Sequence, residues 1–169
     1  MATTIPVPIM FALPDGWRSV PPDEVGSPGA AFVALRPPAS NGFTPNITIS
    51  GEIRGDLPLS RIADEAVANL HRQFSAVKVG RRSEVGSPDN PGITQAVRMR
   101  LVLDGRPQDV AQLQVFLSMQ DVHDPRRQAV LHIVLSATPD RFETVIGEFQ
   151  QFISTIRPEV APRPNGGPR

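Results

Sequence analysis

One run, Gln128 to Arg157, constrains the fold more than any other part of the chain. Ala129, Leu131, Ile133, Leu135 and Ala137 recur at the period of a strand that buries one face. Thr138-Pro139-Asp140 then starts a helix, because a proline in the first turn has no hydrogen bond to lose. Phe142, Val145, Ile146, Phe149, Phe152, Ile153 and Ile156 follow at spacings of three and four, the stripe of a two-faced helix. Pro158 disfavours a helical Arg157 and ends the element. Leu131, Ile133, Phe142, Val145, Phe149 and Ile153 are therefore predicted to form one buried cluster between the strand and the helix. The run states a fold grammar and no chemistry.

Upstream, a short apolar run from Phe11 meets Pro14-Asp15-Gly16, a tight reversal, and Trp17 opens a second short strand to Val20. Trp17 is expected to lid one end of the core. Pro21 to Gly29 reads as loop; Ala30–Arg36 and Asn46–Ser50 read as strands. Between Leu57 and Phe74 the period changes. Leu59, Ile62, Ala63, Ala66, Val67, Leu70 and Phe74 line one face of an amphipathic helix, with Asp56 as its cap and Pro58 in its first turn.

Strand periods return from Val77. Ile93, Val97, Met99, Leu101 and Leu103 form one row, Asp104-Gly105 signals a hairpin, and Ala111, Leu113, Val115, Leu117 and Met119 form the next row. With the row from Ala129 to Ala137, three strands make an antiparallel meander whose odd-numbered faces are all predicted apolar. The order strands, helix, strands, helix is that of an α+β fold, an antiparallel sheet of about six strands covered by two main helices. Residues 1–158 are expected to form a single domain, and the Pro/Gly-rich tail 159–169 is expected to be disordered.

Charge and composition exclude more than they identify. Basic and acidic residues number 17 each, so no net field draws the chain to nucleic acid or an anionic membrane. The absence of cysteine removes disulfides, thiolate catalysis and cysteine-ligated metal. No apolar run is long enough for membrane insertion as a helix, and Met1 to Phe11, with Pro6 and Pro8 and no basic start, does not read as a signal peptide. A cytoplasmic location is the simplest expectation.

The phrases Phe11-Ala-Leu-Pro-Asp-Gly-Trp17, Pro45-Asn-Ile-Thr-Ile49 and Phe142 to Pro158, in this order of elements, resemble the PsbP-like fold superfamily, closest to its bacterial DcrB-type and LpqN-type domains. The likeness spans residues 7 to 158. It implies binding and assembly functions, in some bacterial relatives a chaperone-like hold on secreted proteins, and it carries over no catalytic residue. The lipidated cysteine of exported members is missing here.

No nucleophile with a base, no carboxylate pair and no metal-ligand spacing stands out, so no catalytic residue, metal or cofactor is assigned. Asp121, His123 and Asp124 read as an Asx-rich turn, and no glycine spacing would cradle a phosphate. The even-numbered rows of the meander hold the candidate binding residues Arg98, Arg100, Gln112, Gln114 and His132, with Ser118 beside them. Their ordinary reading is the wet face of a half-exposed sheet. Phe116 and Val102 interrupt that face and favour a covered or binding surface. The leading expectation is a non-enzymatic adaptor or chaperone-like module for a polypeptide, tied to a bacterial secretion or assembly system; a homodimer is admitted as well. The rivals are a small-molecule binder or enzyme with a pocket around His132, Arg98 and Arg100, and a structural subunit of a larger assembly.

Overall fold

The computed structural model describes residues 5, 8–26, 29–54, 58–88, 90–120, 124, 126 and 128–158. Its strands are β1 (Ile9–Met10), β2 (Arg18–Val20), β3 (Phe32–Leu35), β4 (Asn46–Ile53), β5 (Ser75–Gly86), β6 (Pro91–Leu103), β7 (Arg106–Gln120), β8 (Gln128–Ala137) and β9 (Arg157–Pro158). Helix α1 spans Leu59–Gln73 and α2 spans Pro139–Thr155. Strands β2 to β8 form one seven-stranded sheet in the order β2-β3-β4-β8-β7-β6-β5, antiparallel throughout. This is the α+β architecture expected, with one strand more. The addition is β5, where strand period returns at Val77 but nearly all residues are exposed, so no full apolar row marks it.

Several boundaries moved. The strand expected from Phe11 is instead the two-residue β1, which pairs outside the main sheet with β9, setting Ile9 and Met10 against Pro158 and Arg157. Pro22–Val25, expected as loop, is a 3₁₀ turn. Pro58 sits at the N-cap of α1 in extended conformation rather than within the first turn. Asp56, the cap expected before it, lies outside the described residues, as do Asp121, His123 and the tail 159–169. Asp124 accepts from the backbone N–H of Arg126 at 3.1 Å, an Asx-turn bond.

The main correction concerns which residues share a face. Asp104 and Gly105 both have positive φ, 50° and 77°, the geometry of a two-residue hairpin, and Leu103 pairs directly with Arg106. Partners three apart have opposite parity. The odd row of β6 therefore lies on the same face as the even row of β7, with Ile93 opposite Phe116 and Met99 opposite Val110. Between β7 and β8 odd pairs with odd, as Val115 with Ile133. The matching of odd rows holds for the last two strands and inverts at the first.

Both faces of the sheet are consequently partly apolar, and each carries one helix. Helix α2 lies on the face of Ile47, Ile49, Val115, Leu131, Ile133 and Leu135, and buries Val145, Phe149 and Phe152 there. Phe142 and Ile153 pack against the same cluster, as the sequence predicts, and Trp17 belongs to it at 7% exposure. The Trp17 indole donates to Glu148 of α2 at 3.3 Å, and Arg36, just after β3, meets the same carboxylate at 3.1 Å. Helix α1 lies on the opposite face over β5, β6 and β7, burying Ile62 and Ala63 against Ile93, Phe116 and Val130. Among the described residues no helix is long and apolar enough to cross a membrane.

Candidate functional site

The five candidate binding residues do not lie together. Gln112, Gln114 and His132 face α1, whereas Arg98, opposite Ala111, and Arg100, opposite Asp109, project from the α2 side of the sheet, beyond the strands on which α2 rests. The inverted parity at the Asp104-Gly105 hairpin is the reason. Arg100 is held by the Asp109 carboxylate at 2.9 Å. A single polar face carrying all five, and a single pocket around His132, Arg98 and Arg100, are therefore both ruled out by the register.

What the α1 side holds instead is a hydrogen-bonded ladder running across four strands. Arg82 of β5, paired to Asp64 of α1 at 2.8 Å, donates twice to the Gln95 carbonyl, at 3.0 and 2.8 Å. Gln95 is fully buried and its amide donates to the Ala63 carbonyl of α1 at 3.1 Å and to Gln114 at 2.7 Å. Gln114 donates to Gln112 at 3.0 Å, and Gln112 to the Ser136 hydroxyl at 3.0 Å. Each buried amide thus has the partners that its burial demands. Gln95 was missed in the sequence, though a signal existed: it is the one polar residue inside the apolar row Ile93-Val97-Met99.

The inner half of this ladder lies beneath α1, and its outer end opens into a groove, because α1 rests mainly on β5, β6 and β7. The larger section, about 420 Å³, has Asn46, Thr48, Gln112 and Ser136 on its floor and Phe43, Leu70 and Phe74 among its apolar walls. A second section of about 350 Å³ shares Ala66 and Asn69 with the first and adds Ser50, Glu52, Arg54, Glu65 and His132. Sequence alternation placed Asn46 to Ser50 on a strand, but only the pairing of β4 with β8 shows that Thr48 and Ser50 stand beside Val134 and His132.

His132 is wedged edge-on against the Phe116 ring, with centroids 4.9 Å apart. Its Nε2 is buried and 3.5 Å from Glu52 Oε1, too far for a sound hydrogen bond, so that nitrogen has no partner. Burial pushes the imidazole pKa below its ordinary value, against the pull of the Glu52 carboxylate. Glu52 is itself 3.6 Å from Arg54, which also binds Glu65 of α1 at 2.7 Å. The cluster ties β4 to α1 across the groove.

Among the described residues no group of three potential metal-ligating side chains comes together. A hollow of about 590 Å³ between the start of α1 and the β5–β6 turn touches none of the five candidates.

No protein-family model matches the sequence, and no curated protein does either. Solved structures do match the fold. LpqN of Mycobacterium tuberculosis, described as involved in cell envelope biogenesis, aligns with a TM-score of 0.59 at 18% identity, over 89% of this chain and 84% of that one. Cyanobacterial PsbP from Synechocystis aligns with a TM-score of 0.52 at 16% identity, over 89% and 86%. The Ran-binding protein Mog1p of Saccharomyces cerevisiae aligns with a TM-score of 0.57 at 13% identity, over 88% and 89%. The chain has the PsbP-like fold.

Proposed function

We propose that this chain is a non-catalytic module that holds a segment of another polypeptide in the groove beside α1. The observation that carries the reading is the groove's make-up. Hydroxyl and amide groups of Thr48, Ser50, Gln112 and Ser136 run along the floor, and Phe43, Leu70 and Phe74 stand on the walls. An extended peptide needs both: polar groups for its backbone and apolar ground for alternate side chains. A compact metabolite would be better served by an enclosed pocket with converging charges, and Arg98 and Arg100, which would have supplied them, point from the other side. That Mog1p, with the same fold, is a Ran-binding protein supports a protein partner here.

The test is to fill the groove. Thr48→Tyr and Asn69→Tyr each place a ring in it without touching the α2 core, so both variants should fold, as circular dichroism would show. A partner captured by the tagged wild-type chain from native lysate and identified by mass spectrometry, then titrated in pure form, should bind either variant about tenfold more weakly. Undiminished binding by both would sink the proposal. A small molecule that co-purifies with the wild type in native mass spectrometry and is lost from both variants would replace it with the ligand reading, for which the unpartnered His132 Nε2 is the anchor.

A further inference from the structure

Lys78, the only lysine in the chain, lies directly opposite Arg98 in the β5–β6 register, so both cations project from one face. Like charges set opposite each other across a ladder repel, and folding gains nothing from the pairing. Both side chains are exposed, and among the described residues neither has an ion pair, in contrast to Arg100 further along β6. This face is open, because α2 rests on β7 and β8.

The surface around the two cations is not wholly polar. Ala96 and Leu113 are paired across β6 and β7 on this face and remain half-buried. Val102, past Arg100 on the same row, is 71% exposed, the most exposed large apolar side chain described. Helix α2 turns Arg141 and Glu148 toward the β3 side, where they bond Pro38 and Arg36, so Ile146 stands on its opposite flank, toward β6.

Addition of a strand at the β5 edge is an unsuitable alternative. That edge carries two register shifts and a positive φ of 54° at Ala76, both of which break the row of groups a new strand would need. At the other edge, β2 is only three residues long. A partner on this side must lie across the face.

We infer that the open β5–β6 face is a second docking surface, separate from the groove beside α1, and that its occupant is an acidic polypeptide segment with interspersed apolar residues. Carboxylates of the segment would meet Lys78 and Arg98, relieving their repulsion, while an apolar side chain rests on Ala96 and Leu113. Charge complementarity selects the acidic partner. The balance of 17 basic and 17 acidic residues, and the absence of tyrosine for stacking, disfavour a nucleic acid.

Fluorescence anisotropy with a labelled synthetic peptide of alternating Glu and Val, and its alternating Lys and Val counterpart, tests this on the full chain. Wild type should bind the acidic peptide, and salt should weaken that binding. Lys78→Glu/Arg98→Glu should bind it about tenfold more weakly or worse and should gain affinity for the basic peptide. Should the reversal fail to fold, Lys78→Gln/Arg98→Gln should still lose the acidic peptide. Thr48→Tyr should bind it as wild type does, so this surface and the groove succeed or fail independently. The inference is overturned by a wild type that ignores the acidic peptide, by charge variants that bind it unchanged, by loss in Thr48→Tyr, or by tighter binding to duplex DNA or phosphatidylserine vesicles. It is equally overturned if sedimentation velocity shows a wild-type dimer that the charge reversal splits, since a second copy would then be the occupant.

Discussion

The two faces of the sheet are held to their helices by different physics. Under α2 the contact is almost entirely apolar: Val145, Phe149 and Phe152 are fully buried against Ile47, Ile49, Leu131, Ile133 and Leu135. Under α1 the helix contributes only Ile62 and Ala63 as fully buried residues, with Leu59, Ala66 and Leu70 packed around them partly buried, and the Asp64–Arg82–Gln95–Gln114 ladder ties it to the sheet. Apolar burial is non-directional and tolerates sliding, whereas a chain of amides fixes one register. The contrast suggests a division of labour, in which α2 supplies stability and α1 supplies a defined position beside the groove.

That contrast breaks most visibly at Phe149. Removing a fully buried aromatic ring deletes its transfer energy and leaves a cavity, so Phe149→Ala is expected to cost about 3–5 kcal/mol in chemical denaturation. A loss under about 1 kcal/mol would show that α2 is not the apolar anchor described. Gln95→Ala is the matching lesion on the other face. It strands the Ala63 carbonyl, the Gln114 carbonyl and one side of the Arg82 guanidinium, at an expected cost of about 1–3 kcal/mol. The two should differ in kind as well as size: faster amide exchange after Gln95→Ala should be confined to α1 and β5, whereas Phe149→Ala should loosen the molecule globally.

The same contrast explains what was legible in the sequence. The β8–α2 unit could be read because an apolar stripe at helical spacing and an apolar row at strand spacing are both one-dimensional signals, and they meet in the fold as read. Parity across β6 and β7 needed one further step. A two-residue turn at Asp104-Gly105 forces opposite parity on its flanking strands, so the hairpin signal itself implies the inversion. Strand β5 showed only in the return of strand period at Val77, since Lys78, Arg81 and Glu84 are solvent-facing residues on a bulged edge. Of the candidate site, Gln112, Gln114 and His132 were found as polar strand positions. Their neighbours Thr48, Glu52 and Asn69 were not, because they arrive from β4 and α1 by long-range pairing that no local period encodes.

The smallest expected effect is also the one that probes the polar face most locally. Burial holds the His132 pKa below its ordinary value of 6.5, with Glu52 pulling the other way. The unfolded chain therefore binds a proton at His132 more readily than the folded one does. Its folded state is unpenalised above 6.5 and loses stability as pH falls through that value toward the folded pKa, the sign expected of a base kept neutral by burial. Carboxylates elsewhere also respond to acid, so the informative quantity is a difference between variants. His132→Gln should lose less stability than wild type between neutral and mildly acidic pH, in parallel urea titrations. Glu52→Gln should do the opposite, because it removes the main group opposing desolvation and lowers the imidazole pKa further. An NMR titration reads the cause directly: the His132 ring signals should shift with a midpoint below 6.5 in wild type and lower still in Glu52→Gln. A midpoint above 6.5 in wild type would mean that the 3.5 Å contact with Glu52 behaves as a true ion pair, and that the α1 face is held by charge there rather than by neutral, buried polar groups.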